Sequence, residues 1–194
     1  LPIERIRAGS ASGIAIMAGC TTEAGKLFSA FGPDARNMTE EALTEAVGDI
    51  FGDSAAADVI AGYRAWLTAT GKGADPSDVS AEIMTDRVFW LPAMVLLEAQ
   101  HAHDERTYGY LFDWKSPLMG GAMGACHAVE LGFVWGTYDK NGAGTFFGEG
   151  PAADALSDFT RAAWIRFAHT GHPGDDSGPD WPSYDAESRA TMVF

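Results

Sequence analysis

Between Gly13 and Ala18 every residue is small or apolar, and the run Gly13-Ile-Ala-Ile-Met-Ala18 stops at Gly19. A short run without polar alternation predicts a strand buried on both faces, as in a parallel sheet covered by helices. The period then lengthens. Thr39 is a good N-cap, with Glu40 and Glu41 in the turn where the helix dipole favours acids, and Leu43, Val47 and Ile50 mark one face. Val59, Ile60, Tyr63, Trp66 and Leu67 mark a second helix, stopped near Gly71. Asp75-Pro76 opens a third, with Asp75 as cap and Pro76 at the first helical position. The apolar stretch from Asp86 to His101 is helix-like, with Pro92 placed to kink or divide it. Thr107 to Trp114 alternates aromatic residues and predicts a second strand. A Gly/Met loop, Pro117 to Gly124, leads into His127. Pro151 starts the last long helix, whose face runs through Leu156, Phe159, Ala163, Trp164 and Phe167 to a stop at Gly171. The tail from Pro173 to Phe194 reads as loop.

Two strands and about six helices predict an α/β chain with too few strands for a self-contained sheet. The expectation is one partial domain, residues 1–194. Its partner strands would lie in a missing N-terminal portion of the same protein or in a second copy of the chain.

Composition narrows this further. The chain is 46% hydrophobic and 21% charged, an ordinary globular balance. Six Trp and eleven Phe imply a large apolar interior or interface. With 27 acidic against 13 basic residues the net charge is −14, which argues against binding to nucleic acid or an anionic membrane surface. No apolar run approaches the roughly 20 residues a spanning helix needs. The N-terminus lacks both a signal-peptide layout and an initiator Met, which suggests a processed or cloned boundary. Cys20 and Cys126 are too few for a disulfide scaffold and read as buried small hydrophobes, which favours a cytoplasmic location.

The segment Gly124-Ala-Cys-His-Ala-Val-Glu-Leu-Gly-Phe-Val-Trp-Gly136 carries the most chemistry. Its glycines allow a loop to present His127 at a pocket mouth, where a general base must reach a nucleophile. On its own, a loop histidine is more often a surface or structural residue. Other candidates fail on spacing. His101 and His103 point to different sides of a helix, so they make a poor metal pair. Asp139-Lys-Asn-Gly-Ala-Gly144 begins like a calcium loop but lacks its fifth and twelfth ligands, at Ala143 and Gly150. Cys126 adjoins His127, and adjacent side chains diverge. Gly9-Ser-Ala-Ser-Gly13 looks like a nucleophile elbow, but its central residue is Ala11.

The His127 segment resembles the catalytic-histidine motif of the type B carboxylesterases, the family of bacterial para-nitrobenzyl esterases and cholinesterases. Gly124, Ala125, His127, Glu130, Leu131, Phe133, Val134 and Gly136 match, while Ala128 stands for the usual Gly and Trp135 for Phe. Asp86 to Pro92, Tyr108 to Trp114, Trp164 to Pro173, Trp181 to Tyr184 and Arg189 to Phe194 resemble further family motifs in the same order. The resemblance implies the C-terminal portion of an α/β-hydrolase fold that hydrolyses small-molecule carboxylic esters without cofactor or metal. His127 would be the base of a Ser-His-acid triad, and the serine would lie in the missing N-terminal portion. This chain alone is then expected to be inactive. Gly19 to Phe28 resembles the family's acid turn, but the catalytic Glu aligns with Ala24 and the preceding Asp with Glu23. Either Glu23 serves through a one-residue shift, or the acid is absent and the chain is a non-catalytic binding module.

Overall fold

The computed structural model describes residues 1–31, 38–175 and 178–194. Among them three strands, β1 (Ile16–Thr21), β2 (Thr107–Phe112) and β3 (Thr191–Val193), make one sheet in the order β1-β2-β3 with both pairings parallel. β1 starts three residues later than its apolar pattern predicts and runs through Gly19. A β-carbon at Gly19 would collide with the Tyr110 carbonyl oxygen, so this glycine permits a close backbone approach and is not a stop. β1 lies at the sheet edge, and only Cys20 and Thr21 are fully buried, not the whole strand.

The two faces of β2 explain its aromatic alternation. Tyr108 and Tyr110 pack with Ala163, Trp164 and Phe167 of α9 (Pro151–Thr170). On the other face, Leu97 of α6 (Leu91–His101) closes on Gly109. The tail is not all loop as predicted, because Thr191–Val193 pairs with Gly109–Leu111. Three residues carry no periodicity to read. Long-range bonds anchor to β2 the chain that leads into this strand: the Trp181 indole N–H donates to the Gly109 carbonyl at 3.1 Å, and the Tyr184 N–H to the Thr107 carbonyl at 2.7 Å.

A separate helical layer joins α3 (Glu40–Phe51), α4 (Asp53–Ala69) and α5 (Pro76–Met84) around Leu43, Val47, Ile60, Leu67, Val79 and Ile83. Thr39 caps α3 by accepting the Ala42 N–H at 3.2 Å, and Asp75 caps α5 by accepting the Asp78 N–H at 3.2 Å. Ile50 falls off the buried face and is exposed. α5 continues without a break into a π-helical turn, Thr85–Trp90, and α6 follows. Pro92 stands in the first turn of α6 and cannot donate a helical hydrogen bond, so it divides the stretch as expected. Four short helices lacked a readable pattern: α1 (Pro2–Arg7), α2 (Gly25–Phe31), α7 (Leu131–Trp135) and α8 (Gly144–Phe147).

Candidate active site

Both long strands deliver their next residues to the same place. β1 ends at Thr21 and β2 at Phe112, and the Thr22 N–H donates to the Phe112 carbonyl at 3.0 Å. The turn after β1 leads straight into α2, which is seated hard on α5. The Gly25 N–H donates to Thr85 Oγ1 at 2.9 Å, and a β-carbon at Gly25 would collide with the Ala81 carbonyl. That seating turns the Glu23 carboxylate inward, where it is 5% exposed.

Glu23 is fully engaged there. Oε2 accepts from Lys115 Nζ at 2.8 Å and from the Ala125 N–H at 2.9 Å, and Oε1 pairs with Lys26 at 2.7 Å. Its own N–H donates to the Ala125 carbonyl at 3.0 Å. Burial opposes the ionised carboxylate, but the bonds from Lys115, Lys26 and Ala125 outweigh it and lower its pKa from 4.5 to about 2. Gly124 sits against the same carboxylate with φ +54, and a β-carbon there would collide with Glu23 Oε2. The Ser116 N–H closes the loop onto the Gly124 carbonyl at 2.9 Å.

His127 follows in a turn that enters α7. Its ring lies 5.4 Å from Phe28 of α2 and 5.0 Å from Phe89 of the π-helical turn, and these two rings stack at 5.9 Å. The turn is built on Ala128 at φ +71, the position where the resembling motif carries Gly. Residues that follow His127 anchor the turn: Val129 and Phe133 are fully buried with Phe112, Met123 and Cys126.

The structure therefore gives Glu23 other partners than the imidazole its expected role requires. Among the described residues no hydrogen bond joins Glu23 to His127. Ala24 is 0% exposed and has no side-chain acceptor to offer. Three features of the site had no warning in the sequence. Phe28 and Phe89 lie 61 residues apart, Ala125 is clasped from a distance in sequence, and Glu130 has a buried Oε2 with no hydrogen-bond partner among the described residues. Burial pushes the Glu130 carboxyl upward, opposed first by a hydrogen bond from its own backbone and then, more weakly, by the charge of His127. A cleft of ≈ 370 Å³ opens at the strand ends between Thr21, Leu111 and Val193 on one side and Trp66, Asp86 and Trp90 on the other. His103 is occupied with the Arg7 carbonyl at 2.8 Å, away from this cluster.

The carboxylesterase family matches this chain over residues 1–194. The chain belongs to the carboxylesterase family. It is 33% identical over 197 residues to the para-nitrobenzyl esterase of Bacillus subtilis (strain 168), covering 100% of this chain and 36% of that one. It is 31% identical to the phenmedipham hydrolase of Pseudarthrobacter oxydans, covering 94% of this chain and 36% of the relative. Among solved structures, a Geobacillus stearothermophilus carboxylesterase superposes with a TM-score of 0.77 at 30% identity, covering 100% of this chain and 39% of that one. A thermophilic para-nitrobenzyl esterase superposes at 0.73, also at 30% identity, covering 99% and 37%. The small parallel sheet with its helices is thus part of an α/β-hydrolase fold. This carboxylesterase-family chain spans a little over a third of the length of these relatives. Among the described residues no helix is long and apolar enough to cross a membrane.

Proposed function

We propose that this chain supplies the histidine of a serine carboxylesterase. The observation that carries this reading is the seating of His127: it stands in a turn fixed by the Glu23–Ala125 clasp, which ties it to the turn after β1, with its ring half-open beside Phe28 and Phe89. A serine hydroxyl attacks the ester carbonyl carbon while His127 takes its proton. The tetrahedral adduct collapses, the C–O bond to the alcohol breaks, and His127 returns the proton to the leaving alcohol. Water then attacks the acyl-enzyme, gives its proton to His127, and the carboxylic acid departs as the serine is reprotonated. Glu23 supports this step by holding the backbone before His127.

The 194 residues contain no Gly-x-Ser-x-Gly, so the nucleophile belongs to polypeptide outside them. The surface is suited to such a partner, an N-terminal portion of the same protein or a second copy. His127, Leu131 and Trp135 follow at four-residue spacing, the last two exposed, and Phe31, Val88 and Leu91 are exposed as well. The substrate class is a small carboxylic ester, for which the Trp66–Trp90 cleft offers aromatic walls.

One observation favours a second reading, a binding module with an eroded triad: Ala24 leaves the usual acid position without a carboxylate. Hydrolysis of a p-nitrophenyl ester separates the two. The complete polypeptide that carries the serine should turn over, and His127→Ala should lower kcat by several orders of magnitude. The 194-residue chain alone should be inactive. Equal turnover in the His127→Ala protein removes the histidine from the mechanism, and a complete polypeptide without activity favours the binding module.

A further inference from the structure

The cleft of ≈ 370 Å³ at the strand ends is acidic as well as aromatic. Among the described residues that line it, Glu82, Asp86 and Asp113 face a single ammonium group, that of Lys72. Lys115 answers Asp113 at 2.7 Å from outside the cleft, which leaves the excess charge on Glu82 and Asp86. These two follow each other at four-residue spacing, from α5 into the π-helical turn. Asp86 accepts from the Tyr63 hydroxyl at 2.8 Å and makes no ion pair among the described residues. Glu82 is 8% exposed, and its ion pair with Lys72 is 3.6 Å long, beyond a good hydrogen bond. Burial raises the Glu82 carboxyl, Lys72 opposes that rise, and the charges of Asp86 and Glu23 add to it. This corner has room in its charge balance for a further cation.

Two independent observations say which kind of cation fits. The wall already holds an ammonium group: Lys72 Nζ lies 4.7 Å from the centroid of the Trp66 ring, where the π-face attracts positive charge. Thr21, at the end of β1, lines the same cleft. It is 2% exposed, and its Oγ1 is buried with no hydrogen-bond partner among the described residues. Such an oxygen calls for a donor. A primary ammonium brings three N–H donors, a trimethylammonium brings none, and an alcohol brings a donor without charge.

We propose that this cleft binds a primary ammonium ligand, an alkyl- or arylalkylamine in its protonated form. Its charge lies against Glu82 and Asp86, an N–H donates to Thr21 Oγ1, and its carbon skeleton packs on Trp66 and Trp90. Lys72 is the chain's own occupant of the Trp66–Glu82 corner and competes with the ligand for it. The net charge of −14 favours the approach of such a ligand. Binding is independent of the reading of His127 as a base, because no ester bond takes part.

Isothermal titration calorimetry of the 194-residue chain, at neutral pH and low salt, compares benzylammonium with benzyltrimethylammonium and benzyl alcohol. Benzylammonium should bind saturably, and the other two should bind about tenfold or more weakly, since one lacks the donors and the other the charge. Lys72→Met should tighten benzylammonium roughly three- to tenfold by freeing the corner. Asp86→Asn, which keeps an acceptor for Tyr63, should weaken it about tenfold. Thr21→Val should weaken it about threefold or more and leave benzyltrimethylammonium, which has no N–H to donate, unchanged. Circular dichroism checks that each variant folds. If Asp86→Asn or Thr21→Val does not fold, Lys72→Met decides, because Lys72 stands partly exposed in the loop between α4 and α5. Equal binding of the three ligands, or a Lys72→Met chain that holds benzylammonium no more tightly than wild type, overturns the proposal.

Discussion

Glu23 and Ala125 clasp each other twice: the Glu23 N–H donates to the Ala125 carbonyl at 3.0 Å, and the Ala125 N–H donates to Glu23 Oε2 at 2.9 Å. The pair ties the turn after β1 to the strand of chain that enters His127. A glutamine could keep both of these bonds but would lose the ion pairs with Lys26 and Lys115.

Glu23→Gln should therefore destabilise the chain at neutral pH and flatten its acid profile. Burial disfavours the charge, but Lys115, Lys26 and Ala125 overcome it and take the carboxyl from 4.5 to about 2. The folded value lies below the unfolded one, so the contribution is complete above about pH 4.5 and is lost as pH falls toward 2. A drop of that size corresponds to about 3 kcal/mol, and exposure of Lys115 to solvent reduces this to about 1–2 kcal/mol. Urea denaturation followed by Trp fluorescence between pH 7 and 2 checks it. Parallel curves for the wild type and Glu23→Gln would contradict the clasp.

Gly124→Ala should act on the same clasp from the other side. The added β-carbon meets the Glu23 carboxylate, and φ +54 strains any side chain. A loss of about 2 kcal/mol or more is expected. Its effect should be non-additive with Glu23→Gln, because once the carboxylate is displaced the second change has less to break. A double-mutant cycle in urea reads this directly, and simple additivity would mean that the two residues do not share a site.

Ala128→Gly should stabilise. Left-handed backbone costs an alanine about 1 kcal/mol relative to glycine, and Ala128 sits at φ +71. The greater freedom of glycine in the unfolded chain takes back part of the gain. The expected rise in Tm is roughly 1–3 °C, measured by differential scanning calorimetry. A fall would mean that the methyl group packs usefully in the turn.

Which parts of this arrangement could be read from the chain follows from the range of the forces involved. Helix starts at Thr39, Asp75 and Pro151 were legible because capping and the fixed φ of proline act within one turn. His127 was legible through the ordered motifs around it. β3 was hidden, since Thr191–Val193 is held by Trp181, Tyr184 and β2 and not by its own pattern. Gly19 misled for a related reason: a glycine that admits a neighbouring carbonyl looks like one that ends a strand. Lys115 and Ala125 lie about a hundred residues from Glu23, so no local signal could announce their hold on its carboxylate.

α7 offers a contrast between core and surface within five residues. Phe133 is fully buried, stacks on Tyr138 at 5.2 Å with 7° between the rings, and meets Phe112 and Trp114. Phe133→Ala should cost about 3–5 kcal/mol, because it removes a large buried ring and leaves a cavity among aromatic neighbours that cannot collapse into it. Trp135 is 73% exposed. Trp135→Ala should leave the urea midpoint within about 0.5 kcal/mol of wild type. If Trp135 belongs to the face that meets another polypeptide, the same change should weaken association, read by sedimentation velocity over a range of concentrations. A Trp135→Ala chain that associates as tightly as wild type would take α7 out of that interface.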